Sequence, residues 1–69
     1  MGRQTPGQVR DAIISFLRDR GGDATVAEIH NAVSLALGKA VPRSSVRSHL
    51  GLNVGKTVRR VGRGTYRLL

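Results

Sequence analysis

The stretch VPRSSVRSHL, Val41 to Leu50, decides the fold. Its apolar residues Val41, Val46 and Leu50 are spaced for one face of a helix. Between them stand Arg43, Ser44, Ser45, Arg47, Ser48 and His49, with no acid. Serine and histidine are mediocre helix formers. The four-residue step from Arg43 to Arg47 stacks like charges at a small cost. A helix that served only as packing would carry Glu, Lys, Gln and Ala on its open side. Hydroxyls and guanidiniums in their place point to a helix whose open side meets a partner.

Working outward, DATVAEIHNAVSLALGK reads as the preceding helix. Thr25 and Glu28 form a capping box. Ile29, Val33, Ala36 and Leu37 make its buried stripe, and Gly38 sits where a left-handed C-terminal residue belongs. Asp23 to Val26 has the alternative of a short strand leading in. Lys39 to Val41 is then a turn, and Pro42 opens the third helix over residues 42–52. Further upstream, TPGQVRDAIISFLRDRGG is a first helix with both ends marked. Thr5 is its cap, Pro6 its first position and Gln8 the partner in a weak capping box. Val9, Ala12, Ile13, Phe16 and Leu17 form its core stripe, and Gly21-Gly22 stops it. Downstream the period changes from helix to strand. Thr57, Val58, Val61, Thr65 and Tyr66 favour strands, with Gly62-Arg63-Gly64 as a three-residue hairpin loop. That pairing sets Val58 against Leu68 and Arg60 against Tyr66 on one face, and Arg59 against Arg67 on the other. Opposed like charges destabilise a hairpin, so an anion belongs beside Arg59 and Arg67 if the register is right.

The 69 residues suffice for one small domain, which at this size buries roughly 60% of its unfolded surface. The formal charge of +8 is unevenly placed. Residues 1–38 balance Arg3, Arg10, Arg18 and Arg20 against Asp11, Asp19, Asp23 and Glu28. Residues 39–69 hold Lys39, Arg43, Arg47, Lys56, Arg59, Arg60, Arg63 and Arg67, and no acid. One half is balanced and the other is a cation, which points to a polyanionic partner.

With these parts in view, the chain resembles a winged helix-turn-helix domain. AEIHNAVSLALGKAVPRSSVRSHL looks like the helix-turn-helix, with Val41 to Leu50 as recognition helix, and VRRVGRGTYRLL is similar to a two-stranded wing. The VPRSSVRS and RVGRGTYRL phrasing also resembles small winged-helix modules fused to some bacterial and phage DNA methyltransferases, although these 69 residues contain no methyltransferase domain. The expected fold is α+β, mostly α: a three-helix core with a C-terminal β-hairpin wing over residues 57–69. It forms a single domain over residues 5–69, behind a flexible tail at 1–4. The function this implies is binding of double-stranded DNA by a transcriptional regulator. The alternatives are a low-specificity nucleoid protein, the targeting module of a restriction-modification or methyltransferase system, and a winged helix that docks an acidic protein.

The residues expected to carry binding follow from helix geometry and charge. At about 100° per residue, Val46 and Leu50 face the core. Ser44 and Ser48 lie on the far side with Arg47 close by, flanked by Arg43 and Ser45. Serine hydroxyls reach phosphates or base edges, and arginine forks onto guanine in the major groove. Arg63, between two glycines at the wing tip, suits a narrow groove of negative potential. Arg59 and Arg67 line one wing face for phosphate. Lys39 and Lys56 are further phosphate contacts, and Thr25 touches the backbone or simply caps. Arg60 goes partly to structure, its stem covering Tyr66.

Other chemistries find little support. GLNVGKT, Gly51 to Thr57, imitates a phosphate loop but has three residues between its glycines where the motif has four. His30 and His49 are 19 apart without cysteine, so no metal site is expected; His49 reads as a boundary residue of the third helix. The scattered acids give no nucleophile, base and orienter, so neither an enzyme nor a small-molecule substrate is expected. Phe16 and Tyr66 are the only aromatics, which favours duplex over single strands. There is no cofactor motif. With no cysteine, no signal peptide and no apolar run near the ~20 residues of a membrane span, the expectation is a soluble cytoplasmic protein with no membrane partner. No exposed apolar patch is evident in the sequence. A monomer is expected, with a homodimer through Leu69 or the first helix as the alternative.

Overall fold

The computed structural model describes residues 7–69. The expected tail and the Thr5 and Pro6 helix start lie outside the described residues. Helix α1 is Gln8–Arg20, with Gly7 as its cap residue, so Gln8 opens the helix instead of completing a capping box at its third position. A two-residue strand β1, Ala24–Thr25, leads directly into α2, Val26–Leu37. Helix α3 is Arg43–Asn53. Strands β2, Val58–Gly62, and β3, Thr65–Leu68, close the chain. The sheet is antiparallel in the order β1-β3-β2. The expected two-stranded wing therefore gains a third strand, from the alternative seen at Asp23 to Val26.

Each helix contributes two fully buried residues one turn apart: Ile13 and Leu17, Ile29 and Val33, Val46 and Leu50. Ala24, Val41 and Val58 complete the core, with Val9, Ala12, Phe16, Leu37, Tyr66 and Leu68 packed against it. One expected member of the α2 stripe, Ala36, is exposed. Leu37 closes that edge of the core instead, and Ala36 is turned past it.

The capping box on α2 forms as expected. The Glu28 amide donates to Thr25 Oγ1 at 3.1 Å, and the Thr25 amide donates to Glu28 Oε1 at 2.9 Å. The Thr25 amide bond, reinforced by the Arg20 guanidinium, holds the Glu28 carboxyl below its ordinary value of 4.5. At the other end of α2, Gly38 takes φ +67° and its amide reaches back to the Leu35 carbonyl. A side chain there would be strained.

Two α2 side chains then fix the turn. His30 Nε2 donates to the Val41 carbonyl at 2.6 Å, and the Val41 amide donates to Ser34 Oγ at 3.4 Å. Val41 is buried, as its spacing implied, but it precedes α3, and Pro42 is the cap residue, not the first helical position. This difference follows from the backbone. Pro42 has ψ 136°, an extended value, while its carbonyl already accepts the first helical bonds from Ser45 and Val46.

The hairpin keeps the expected register: Val58 opposes Leu68, Arg59 opposes Arg67 and Arg60 opposes Tyr66. Beyond Arg60 it slips by one residue, so that Gly62 opposes Thr65, with Val61 as the extra residue of a bulge. The loop between the strands is thus Arg63-Gly64, not three residues, and Gly64 supplies the left-handed turn at φ +63°. The wing does not stand free. Thr25 pairs with Thr65, and the Val26 amide donates to the Gly64 carbonyl at 2.9 Å. Three helices with this three-stranded wing make an α+β, mostly helical, winged helix-turn-helix.

Candidate nucleic-acid interface

Helix α3 is built with a bare N-terminus. No side chain caps it and its first turn holds no acid. Arg43, Ser44, Arg47 and Ser48 are all exposed, whereas Ser45 is half-buried. Ser45 is further committed through its backbone, since its carbonyl accepts from His49 Nδ1 at 2.8 Å. At about 100° per residue, Arg43 and Arg47 fall on one flank of the Val46–Leu50 line. Ser45 and His49 fall on the other, with Ser44, Ser48 and Gly51 between them on the open side. Gly51 lies in a regular helical turn, and a Cβ built on it meets nothing within 4 Å.

Lys39 is exposed in the turn before α3, and its amide closes the end of α2 on the Ser34 carbonyl. Lys56 is exposed in the turn after α3. That second turn settles the phosphate-loop imitation. The Gly55 amide donates to Val58, and the Lys56 and Thr57 amides both donate to the Asn53 carbonyl. Asn53 Nδ2 also donates to the His49 carbonyl, and Thr57 Oγ1 donates to Asn53 Oδ1. The amides a phosphate loop would present are spent on ending α3.

On the wing, Arg59, Arg63 and Arg67 are exposed. The anion required beside the Arg59 and Arg67 pair is Asp23, whose Oδ1 lies 3.6 Å from Arg67 Nη1. Ala24 opposes Tyr66, so one further step of the same register brings Asp23 level with Arg67. Arg59, Arg67 and Asp23 therefore form a row across the sheet's outer face. The register of the two-residue β1 is what gives Asp23 this place, which residue spacing alone does not reveal. Arg60 lies on the opposite face across from Tyr66, and its Nε donates to the Gly62 carbonyl at 3.4 Å.

Of the described acids, Asp11 and Asp19 lie on α1 and Glu28 at the start of α2, while Asp23, just before β1, is the one that reaches the wing, at Arg67. Among the described residues no three His, Cys, Asp or Glu side chains gather as a metal site, and no helix is long and apolar enough to cross a membrane. Large apolar side chains are exposed after all: Leu35, Leu52, Val54, Val61 and Leu69. Of these only Leu69 stood out in the sequence, as a possible dimer contact; Leu35 and Leu52 fall outside the core stripes of their helices, Val54 follows α3 and Val61 is the bulge residue of β2.

No protein-family model matches the chain, and no curated protein sequence matches it. Among solved structures it is similar to the solution structure of the DNA-binding domain of Rok, at 22% sequence identity and a TM-score of 0.71. The likeness covers 97% of this chain and 69% of that one. At that level of identity the two share a fold, and the fold is that of a winged-helix-like domain.

Proposed function

We propose that this chain binds double-stranded DNA, with α3 in the major groove and the β2–β3 wing on the backbone or in the minor groove, as a regulator of transcription. One observation carries the reading. Helix α3, the turn behind it and the wing hold eight cations with Lys39 and no acid, while every acid is confined to α1, the segment before β1 and the first turn of α2. Cations so concentrated attract a polyanion, and among these elements only the wing meets a carboxylate, that of Asp23 beside Arg67. The bare N-terminus of α3 adds unpaired amides on the same side. Arg43, Ser44, Arg47 and Ser48 are the base-reading candidates. Arg59, Arg63, Arg67, Lys39 and Lys56 are phosphate or minor-groove contacts, and half-buried Ser45 contributes least. The structural neighbour, itself named a DNA-binding domain, favours the same use of the fold. The reading puts the protein in the cytoplasm with the nucleoid, as a monomer on its site.

Selection from a randomised duplex pool, followed by fluorescence anisotropy on the winners, tests it. Enrichment of one site, with Arg47→Ala costing about 1–3 kcal/mol at one base of that site, makes the protein a specific regulator or a targeting module. Binding without enrichment, with equal loss on all sequences, makes it a backbone-reading nucleoid protein. No binding to any duplex contradicts the proposal and turns attention to an acidic protein partner.

A further inference from the structure

An α-helix lying in a major groove about 12 Å wide has a sugar-phosphate strand along each flank, and each strand calls for cations. Helix α3 supplies them on one flank only, through Arg43 and Arg47. The opposite flank offers Ser45, His49 and the exposed Leu52. Beside that second flank lies a cleft of about 330 Å³, lined by Gly7, Arg10, His49, Leu52, Asn53 and Lys56. Arg10 stands in the first turn of α1 and Lys56 in the turn after α3, so two segments far apart in sequence converge on the flank that lacks charge. His49 and Asn53 are held in place by bonds to the Ser45 and His49 carbonyls, at 2.8 and 2.7 Å, and make a fixed wall. Arg10 Nη2 also lies 3.6 Å from Asp11 Oδ1, with both side chains exposed. A surface pair of that kind contributes little and yields to a phosphate.

We propose that this cleft is a second phosphate-binding site, in which Arg10 and Lys56 take the backbone of the strand opposite the one met by Arg43 and Arg47. It rests on the duplex-binding reading above. It adds to that interface a residue from the charge-balanced half of the chain, where net charge gives no reason to look.

The test compares duplex binding by the wild type, Arg10→Gln, Lys56→Ala and Arg10→Lys across a salt series, with thermal melts confirming that each is folded. Arg10→Gln and Lys56→Ala should each weaken binding about three- to tenfold near physiological salt and flatten the log–log salt slope by about 0.9. Arg10→Lys should restore the slope. Arg18→Ala removes the same unit of charge toward the far end of α1 and should leave the slope in place. Wild-type binding that Arg10→Gln leaves unchanged overturns the second site and spares the duplex reading. Equal losses in Arg10→Gln and Arg18→Ala overturn it too, as an effect of net charge alone. Failure of the wild type to bind any duplex overturns both.

Discussion

Asp23 and Arg67 face each other across the sheet, Oδ1 to Nη1 3.6 Å apart, so a carboxylate stands beside the opposed Arg59 and Arg67 of the hairpin and offsets part of their repulsion. Both side chains are about half exposed, 48% for Arg67 and 52% for Asp23, so the pair contributes about 0–1 kcal/mol to stability. Its larger effect is on availability, because a phosphate approaching Arg67 has to displace a carboxylate. Asp23→Asn should therefore tighten duplex binding and steepen its salt slope, with a melting temperature close to wild type. Weaker binding in Asp23→Asn would show instead that Asp23 positions Arg67 for its contact.

His30 connects α2 to the turn that aims α3. Its bond to the partly buried Val41 carbonyl, at 2.6 Å, leaves an unpaired acceptor if the ring is removed. His30→Ala should cost about 1–3 kcal/mol in denaturant unfolding. A cost within ±0.5 kcal/mol, the range of an ordinary surface change, would remove His30 from that role.

Gly51 separates stability from binding. It is helical and open to solvent, and a Cβ there meets nothing. Gly51→Ala should stabilise the fold by about 0.5–1 kcal/mol. With α3 seated in a groove, the added methyl stands on the approaching side, so duplex affinity should fall while the melting temperature rises. A rise in both would place the DNA elsewhere on the protein.

The capping box sets a pH dependence. The Thr25 amide and Arg20 hold the Glu28 carboxyl below its ordinary value. A depressed carboxylate contributes stability above its unfolded pKa and loses it as pH falls through the folded one. Glu28→Gln keeps the amide acceptor but loses the ion pair to Arg20, 3.1 Å long. The wild type should be the more stable at neutral pH, and the difference should close as pH drops below 4.5. A difference that persists in acid would assign the effect to packing.

Much of this fold was legible in the residues, and the misses share physical causes. The stripes of α1 and α3, the Thr25 and Glu28 capping box and the Arg59–Arg67 register all follow from local spacing, and local spacing survives folding. Ala36 escaped because a small apolar residue next to Leu37 is cheap to expose. The bulge at Val61 escaped because a one-residue slip near a glycine turn leaves the rest of the register untouched. His30 and Asp23 carry no sequence signal for their partners, since Val41 and Arg67 reach them only through tertiary placement. The candidate interface divides the same way. The α3 and wing residues are visible as an acid-free run, whereas Arg10 joins them only because α1 begins where α3 ends.

The proposed function requires the acid-free half of the chain to bind duplex DNA by neutralising phosphates. Its most direct measurement is wild-type binding to one fixed duplex by fluorescence anisotropy, from about 50 to 200 mM salt. With five to six phosphates neutralised, log affinity should fall against log salt with a slope of roughly −5. A flat response, or no binding at the lowest salt, would contradict the account.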